Sequence, residues 1–201
     1  MNKDARATNR KFLYLASASP RRAELLGQLG ITFDVTPADI DETPTDGEAP
    51  DDYVARVARE KAHAAWDALR SGDAPVLAAD TAVVVADHIL GKPIDEADAA
   101  RMLRRLSGRS HEVLTAVAVF DGDREETVLS RTTVVFRPID PDEFAAYWKT
   151  GEPCDKAGGY AVQGLGAMFI QELHGSYSGV MGLPVYETAR LLAGFGYRLL
   201  F

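Results

Sequence analysis

Phe12-Leu13-Tyr14-Leu15-Ala16-Ser17-Ala18-Ser19-Pro20-Arg21-Arg22 runs from a dense apolar stretch into small hydroxyl residues, a proline and two arginines. The apolar part, 12–17, predicts a buried strand. Ser19-Pro20 marks a helix start, because Ser suits the N-cap and Pro the first helical position. Leu25, Leu26 and Leu29 supply that helix with an apolar face, Gly30 is its expected stop, and Ile31 to Thr36 reads as the next strand. The two arginines are the anomaly. The first turn of a helix presents free N–H groups and the positive end of the macrodipole, so Arg21 and Arg22 are locally unfavourable there unless an anion sits among them. Two readings exist: solvated surface arginines, or a polyphosphate site formed with Ser17, Ser19 and the open amides. The strand–Ser–Pro–helix setting favours the second.

Outward from this unit, strands and helices alternate. Residues 37–52 form an acidic, proline-containing loop with Asp39, Asp41, Glu42, Asp46, Glu48, Asp51 and Asp52. A long helix follows, with Tyr53, Val57, Ala58, Ala62, Ala65, Trp66 and Leu69 at helical spacing. Val76 to Val85 is strand-like, and Asp87-His88 turns into a short return strand. Asp95 caps a helix carrying Met102, Leu103 and Leu106 that stops near Gly108. Two β-rich runs, 111–120 and 127–136, flank Asp121-Gly122-Asp123 as a hairpin. Asp140-Pro141-Asp142-Glu143 opens a capping-box helix through Trp148. A glycine-rich tract from Gly158 to Gly182, a helix from Pro184 to about Leu192 and a final strand near Tyr197 complete the chain. The pattern predicts an α/β protein with a mixed central β-sheet flanked by helices.

Composition narrows the partners. The 201 residues are 46% hydrophobic and 26% charged, with 22 basic against 30 acidic side chains and a net charge of −8. Nothing supplies the broad basic surface that nucleic acid requires, so no nucleic-acid partner is expected, while a small anionic ligand, which needs only a local cluster, stays open. The single cysteine, Cys154, excludes an internal disulfide and fits a reduced compartment. Lys3, Arg6, Arg10 and Lys11 before residues 12–16 imitate a signal peptide, but the apolar stretch is too short. No apolar run approaches membrane-spanning length. The expectation is a cytoplasmic chain with no membrane partner, in which residues 1–10 are a disordered N-terminal extension.

Further residues carry chemistry with an alternative beside each. Asp80 interrupts an apolar strand, and burying a carboxylate costs several kcal/mol unless it is partnered. It is either a cleft-facing base or metal ligand, or a hydrogen-bonded structural Asp closing a turn. Lys92 in Gly91-Lys92-Pro93 and Lys61 in Arg59-Glu60-Lys61 are phosphate contacts or ordinary surface lysines. Gly158-Gly159-Tyr160-Ala161-Val162-Gln163-Gly164 reads as a glycine-framed strand. The Gln163 amide matches the donor and acceptors on the edge of uracil or thymine, although on residue type alone a polar residue in a tight turn is the leading reading. Gly175-Ser176-Tyr177-Ser178-Gly179-Val180-Met181-Gly182-Leu183-Pro184 is a second phosphate loop or a plain turn before a helix. His63, His88, His111 and His174 have no metal-ligand spacing.

Taken in order, the segments Leu15 to Arg22, Arg59-Glu60-Lys61-Ala62, Ala79-Asp80-Thr81, Gly91-Lys92-Pro93, Asp155 to Tyr160 with Gln163-Gly164, and Gly175-Ser176-Tyr177 with Gly182-Leu183-Pro184 resemble the Maf family of nucleotide pyrophosphatases. The resemblance implies an ITPase-like fold with a cleft between two lobes, residues 11–201 forming a single Maf-like pyrophosphatase domain. It implies hydrolysis of a nucleoside triphosphate to the monophosphate and pyrophosphate with a divalent metal, Mg²⁺ or Mn²⁺. Arg21, Thr81 and Gln163 match the subfamily acting on dTTP and UTP; the sister subfamily acting on 7-methyl-GTP differs at these places. In this scheme Ser17, Ser19, Arg21, Arg22, Lys61 and Lys92 bind the substrate, Asp80 is catalytic, and Glu42 and Asp80 hold the metal. Gly179 departs from the pattern, standing where Asn is common. A homodimer is compatible. The alternative is a nucleotide-sensing regulatory protein, linked to cell-division control, that binds without turnover.

Overall fold

The computed structural model describes residues 12–69 and 72–199; the extension expected over 1–10 lies outside them. Its elements are β1 (Phe12–Leu15), α1 (Pro20–Gly27), β2 (Thr32–Val35), α2 (Pro50–Leu69), β3 (Val76–Val85), β4 (His88–Leu90), α3 (Glu96–Leu106), β5 (Ser110–Phe120), β6 (Glu125–Phe136), α4 (Pro141–Trp148), β7 (Ile170–His174), α5 (Tyr177–Met181) and α6 (Val185–Gly194). The sheet order is β2-β1-β3-β5-β6-β7, with β4 also on β3. β1 is parallel to β2 and β3, and the remaining pairs are antiparallel. The expected mixed sheet flanked by helices is therefore present.

β3 organises the molecule because it changes neighbours along one edge. Its register with β1 ends at Leu15↔Leu77, and its register with β4 begins at Val83↔Leu90. Between them, 78–82 pair with β5 alone. The open edge coincides with the carboxyl end of β1, where ligands settle in open α/β sheets. Period-two alternation then sorts the side chains of β3 onto two faces. Val76, Ala78, Ala82 and Val84 pack with Val54, Val57, Ala58 and Ala62 of α2. Leu77 and Ala79 join the cluster around Leu25, Leu26, Leu191 and Leu192, while Val83 and Val85 join a third cluster with Leu103, Phe136, Phe144 and Phe169. The cleft opens where the first two clusters give way to the third.

Local rules explain most boundaries. The Asp95 side chain accepts from Asp98 N, and Asp140 with Glu143 completes a capping box. Four expectations need correction. The long helix begins at Pro50, not at 53, because proline takes the first turn and Asp51 and Asp52 suit the dipole. Helix α1 ends at Gly27, three residues before Gly30. The glycine-framed stretch at 158–164 is not a strand: it holds a 3-10 turn over Ala157–Gly159 with Gly158 and Gly159 at positive φ, then a tight turn. Tyr197 forms only an isolated bridge.

Gly158 shows why this tract is glycine-rich. Its φ is +69°, and a Cβ there would lie 3.0 Å from both Val83 methyl groups. Its N–H donates to the Gly91 carbonyl at 3.0 Å, docking the turn that carries Lys92. Gly158→Ala should therefore destabilise the protein by roughly 1–2 kcal/mol from the left-handed backbone alone, more if Val83 cannot shift. Urea unfolding measures it, and a wild-type midpoint would contradict this packing.

Candidate active site

The open edge of β3 faces a cleft of about 520 Å³ that all ten residues singled out by the sequence line: Ser17, Ser19, Arg21, Arg22, Glu42, Lys61, Asp80, Thr81, Lys92 and Gln163. Asp80 sits on the α2-facing side of β3, between Ala78 and Ala82, and is 6% exposed. Lys61 stands four residues after Val57 on the apolar stripe of α2, so helical geometry aims it at the sheet. Its Nζ lies 2.9 Å from Asp80 Oδ1 and 2.9 Å from Glu42 Oε1. Tyr53 donates to the Glu42 carbonyl at 3.0 Å and so fixes the acidic loop over the site.

The opposite face of β3 carries Thr81, which meets the arginine helix. Arg22 Nε donates to the Gly182 carbonyl at 2.8 Å, Nη1 to Ser17 Oγ at 3.2 Å and Nη2 to Thr81 Oγ1 at 3.2 Å. Ser17 Oγ also accepts from Ser19 N at 3.2 Å, and Ser19 makes no side-chain cap of its own. Thr81 Oγ1 lies 3.0 Å from Thr115 Oγ1, and Thr115 donates to the Gly179 carbonyl at 2.8 Å. Gly179, the departure from the family pattern, thus contributes a backbone acceptor. The 175–182 tract forms α5, capped by Ser176, and turns through Gly182 at φ +116°.

Arg21 leans the other way, its Nη1 donating to Asp155 Oδ2 at 3.1 Å. Asp155 also receives Lys156 Nζ at 2.5 Å. Lys92 and Gln163 are exposed on the cleft wall. Asp155, Lys156 and Tyr53 line the cleft without having been singled out for a role. The first two lie inside the Asp155-Lys156-Ala157-Gly158 motif that carried the resemblance, which was the available signal.

Burial raises the Asp80 carboxyl above its usual range, while the Lys61 ammonium and the Arg22 guanidinium pull it back. Burial lowers Arg22, against the raising fields of Asp80 and Glu42. Tyr53 is pushed up to about 12, by burial and then by Asp80 and Glu42. The donor set suits a hard cation. Asp80 and Glu42 offer only oxygen and already converge on one cation, the Lys61 ammonium. Among the described residues no group of three or more His, Cys, Asp or Glu could hold a metal ion. A divalent cation would draw its other ligands from a bound phosphate chain and water, the usual habit of Mg²⁺.

Fold and cleft together define an α/β protein in which cationic side chains line a carboxylate-centred cleft at an open strand edge. This chain belongs to the Maf family: the Maf-like protein family matches residues 12–195. It is 50% identical over 199 residues to a dTTP/UTP pyrophosphatase of Aromatoleum aromaticum, covering 93% of this chain and 97% of that one. It is 53% identical over 184 residues to a dTTP/UTP pyrophosphatase of Methylobacillus flagellatus, covering 92% of each. Among solved structures, the Ham1 protein of Staphylococcus aureus matches with a TM-score of 0.44 and 21% identity, over 62% of this chain and 70% of that one.

Asp80→Asn tests the electrostatics without ligand. A carboxyl whose pKa is raised by folding favours the native state most at low pH, and that contribution is lost as pH rises through the folded value. At neutral pH the variant should melt at or above the wild-type temperature, because Lys61 keeps Glu42 and a buried charge is gone. A loss of about 3–5 kcal/mol, the cost of breaking an indispensable buried pair, would show instead that Asp80 anchors the fold.

Proposed function

We propose that this chain is a nucleoside triphosphate pyrophosphatase that converts dTTP and UTP to the monophosphate and pyrophosphate. The observation that carries the reading is the buried Asp80 beside Lys61 at the open edge of β3, with Arg22 on the opposite face. The names of the near-full-length relatives supply the substrate class.

In this mechanism the triphosphate lies along Arg21, Arg22, Lys61 and Lys92, with Ser17, Ser19 and the first turn of α1 donating to its oxygens. Bound phosphate resolves the unfavourable placement of two arginines at a helix start. Asp80 takes a proton from a water molecule. The water oxygen forms a bond to the α-phosphorus, the bond from that phosphorus to the α–β bridging oxygen breaks, and pyrophosphate leaves. Glu42 and Asp80 would hold a divalent cation, Mg²⁺ or Mn²⁺, which would neutralise charge on the phosphate oxygens and acidify a bound water. Lys61 hands its interaction from the carboxylates to phosphate.

Base selection falls to Gln163, with Arg21 and Thr81 as the other specificity positions. Uracil and thymine present an N–H between two carbonyls; cytosine replaces one carbonyl with an amine and the N–H with an acceptor. The net charge of −8 fits a cytoplasmic enzyme with no nucleic-acid partner. Among the described residues no helix is long and apolar enough to cross a membrane. A homodimer is compatible with this reading.

Three outcomes check it. Purified protein with Mg²⁺ or Mn²⁺ should release pyrophosphate from dTTP and UTP, and a chelator should abolish release; nucleotide binding without release would identify a sensor. Asp80→Asn should bind UTP yet lose roughly two to four orders of magnitude in kcat, and near-wild-type turnover would remove Asp80 from the reaction. CTP should be used about tenfold to a hundredfold less well than UTP in kcat/KM, and equal use would remove the base-reading role of Gln163.

A further inference from the structure

Gln163 is exposed and sits on a turn, so the backbone of that turn must be held in place if the side chain is to reach a base. The turn is pinned from both ends by two side chains outside the cleft lining, Tyr147 and Glu152. Glu152 Oε1 accepts from Gly166 N at 2.9 Å and Glu152 Oε2 from Leu165 N at 2.9 Å. Tyr147 Oη donates to Glu152 Oε1 at 2.6 Å and itself accepts from Ala161 N at 3.1 Å. One relay therefore ties the backbone two residues before Gln163 to the backbone two and three residues after it. Glu152 is held in turn, its N–H donating to Thr150 Oγ1 at 3.2 Å and its carbonyl accepting Lys156 Nζ at 2.8 Å.

Close approach underlines the purpose. A Cβ on Gly164 would overlap the Glu152 carboxylate, and one on Gly166 would lie 2.6 Å from Tyr147 Oη. Tyr147 is 4% exposed and packs edge-on against Phe169, 5.1 Å between ring centroids, so the relay is anchored in the third hydrophobic cluster. The same short helical turn, Glu152–Asp155, carries Asp155, which receives Arg21. Two of the three specificity positions are thus held by one turn.

We propose that Glu152 and Tyr147 are positioning residues for base recognition: they fix the backbone of the 161–166 turn and so deliver the Gln163 side chain to the place where it pairs with uracil or thymine. The proposal rests on the base-reading role of Gln163 given above. An amide at 152 would replace one acceptor oxygen with a donor facing a backbone N–H or the Tyr147 hydroxyl, and a phenylalanine at 147 would leave Ala161 N without its acceptor. Either change loosens the turn and displaces the Gln163 side chain from the base, which weakens the pairing with uracil.

The test compares wild type, Tyr147→Phe, Glu152→Gln, Gln163→Ala and the double variant Tyr147→Phe/Gln163→Ala on UTP and CTP, with kcat and KM resolved. Inorganic tripolyphosphate, as a competitive inhibitor, reports on the phosphate contacts. Gln163→Ala should lower the UTP/CTP ratio of kcat/KM about tenfold or more. Tyr147→Phe and Glu152→Gln should lower the same ratio, chiefly through KM for UTP, and tripolyphosphate should inhibit every variant alike. Tyr147→Phe should lower the ratio no further in the Gln163→Ala background. A wild-type ratio in Gln163→Ala would overturn the base-reading role and the positioning with it. A lowered ratio in Gln163→Ala with wild-type ratios in both relay variants, or full additivity in the double variant, would overturn the positioning alone. Tyr147→Phe keeps its ring against Phe169, so the test stands even if Glu152→Gln fails to fold.

Discussion

Everything in the cleft depends on one strand edge left half-open. β3 gives up β1 after Leu77 and takes β4 only from Val83, so 78–82 hold a sheet neighbour on one side alone. A carboxylate in the centre of a ten-residue apolar strand would otherwise be untenable. At the gap it has space for a ligand on one flank and the Lys61 ammonium on the other. Alternation puts the next residue, Thr81, on the opposite face, where it meets Arg22. Two adjacent residues of one strand thereby reach a cationic side chain from each of two helices, Lys61 of α2 and Arg22 of α1.

The charges are arranged to be nearly balanced before a ligand arrives. Lys61 joins Asp80 and Glu42, while Arg22 is tethered to a carbonyl and two hydroxyls and feels both acids. Removing such groups from water costs several kcal/mol each, which the mutual pairing offsets. In the proposed mechanism a polyphosphate with its cation would exchange these partners for stronger ones without new charge being buried unpaired. On that proposal the unfavourable first turn of α1 is a feature of the empty protein that a bound anion would relieve.

Much of this was legible in sequence because it rests on local rules. The capping box at Asp140, the cap at Asp95 and the Ser-Pro start of α1 are short-range signals, and each falls where the pattern puts it. The apolar strand interrupted by Asp80 draws attention in sequence, which leaves a cleft-facing carboxylate and a structural Asp equally open; the structure places it on the cleft. Lys61 was legible in principle, since it falls on the buried stripe of α2 four residues after Val57, yet a lone lysine on a helix reads as surface. The glycine tract reads as a strand in sequence because nothing local marks the positive φ of Gly158 and Gly159 or the close approach of Gly158 to the distant Val83. β7 escaped notice because a register shift opposite Val135 and Phe136 spoils its alternation, leaving Ile170 and Leu173 as the half-buried positions. The Glu152–Tyr147 relay joins segments whose spacing carries no periodic signal at all.

The central claim is that water, activated at the open edge of β3, attacks the α-phosphorus of a nucleoside triphosphate. Turnover of UTP in ¹⁸O-labelled water, followed by mass spectrometry of both products, tests it most directly. The account predicts the label in the nucleoside monophosphate and unlabelled pyrophosphate. Label in pyrophosphate, or release of orthophosphate in its place, would contradict it.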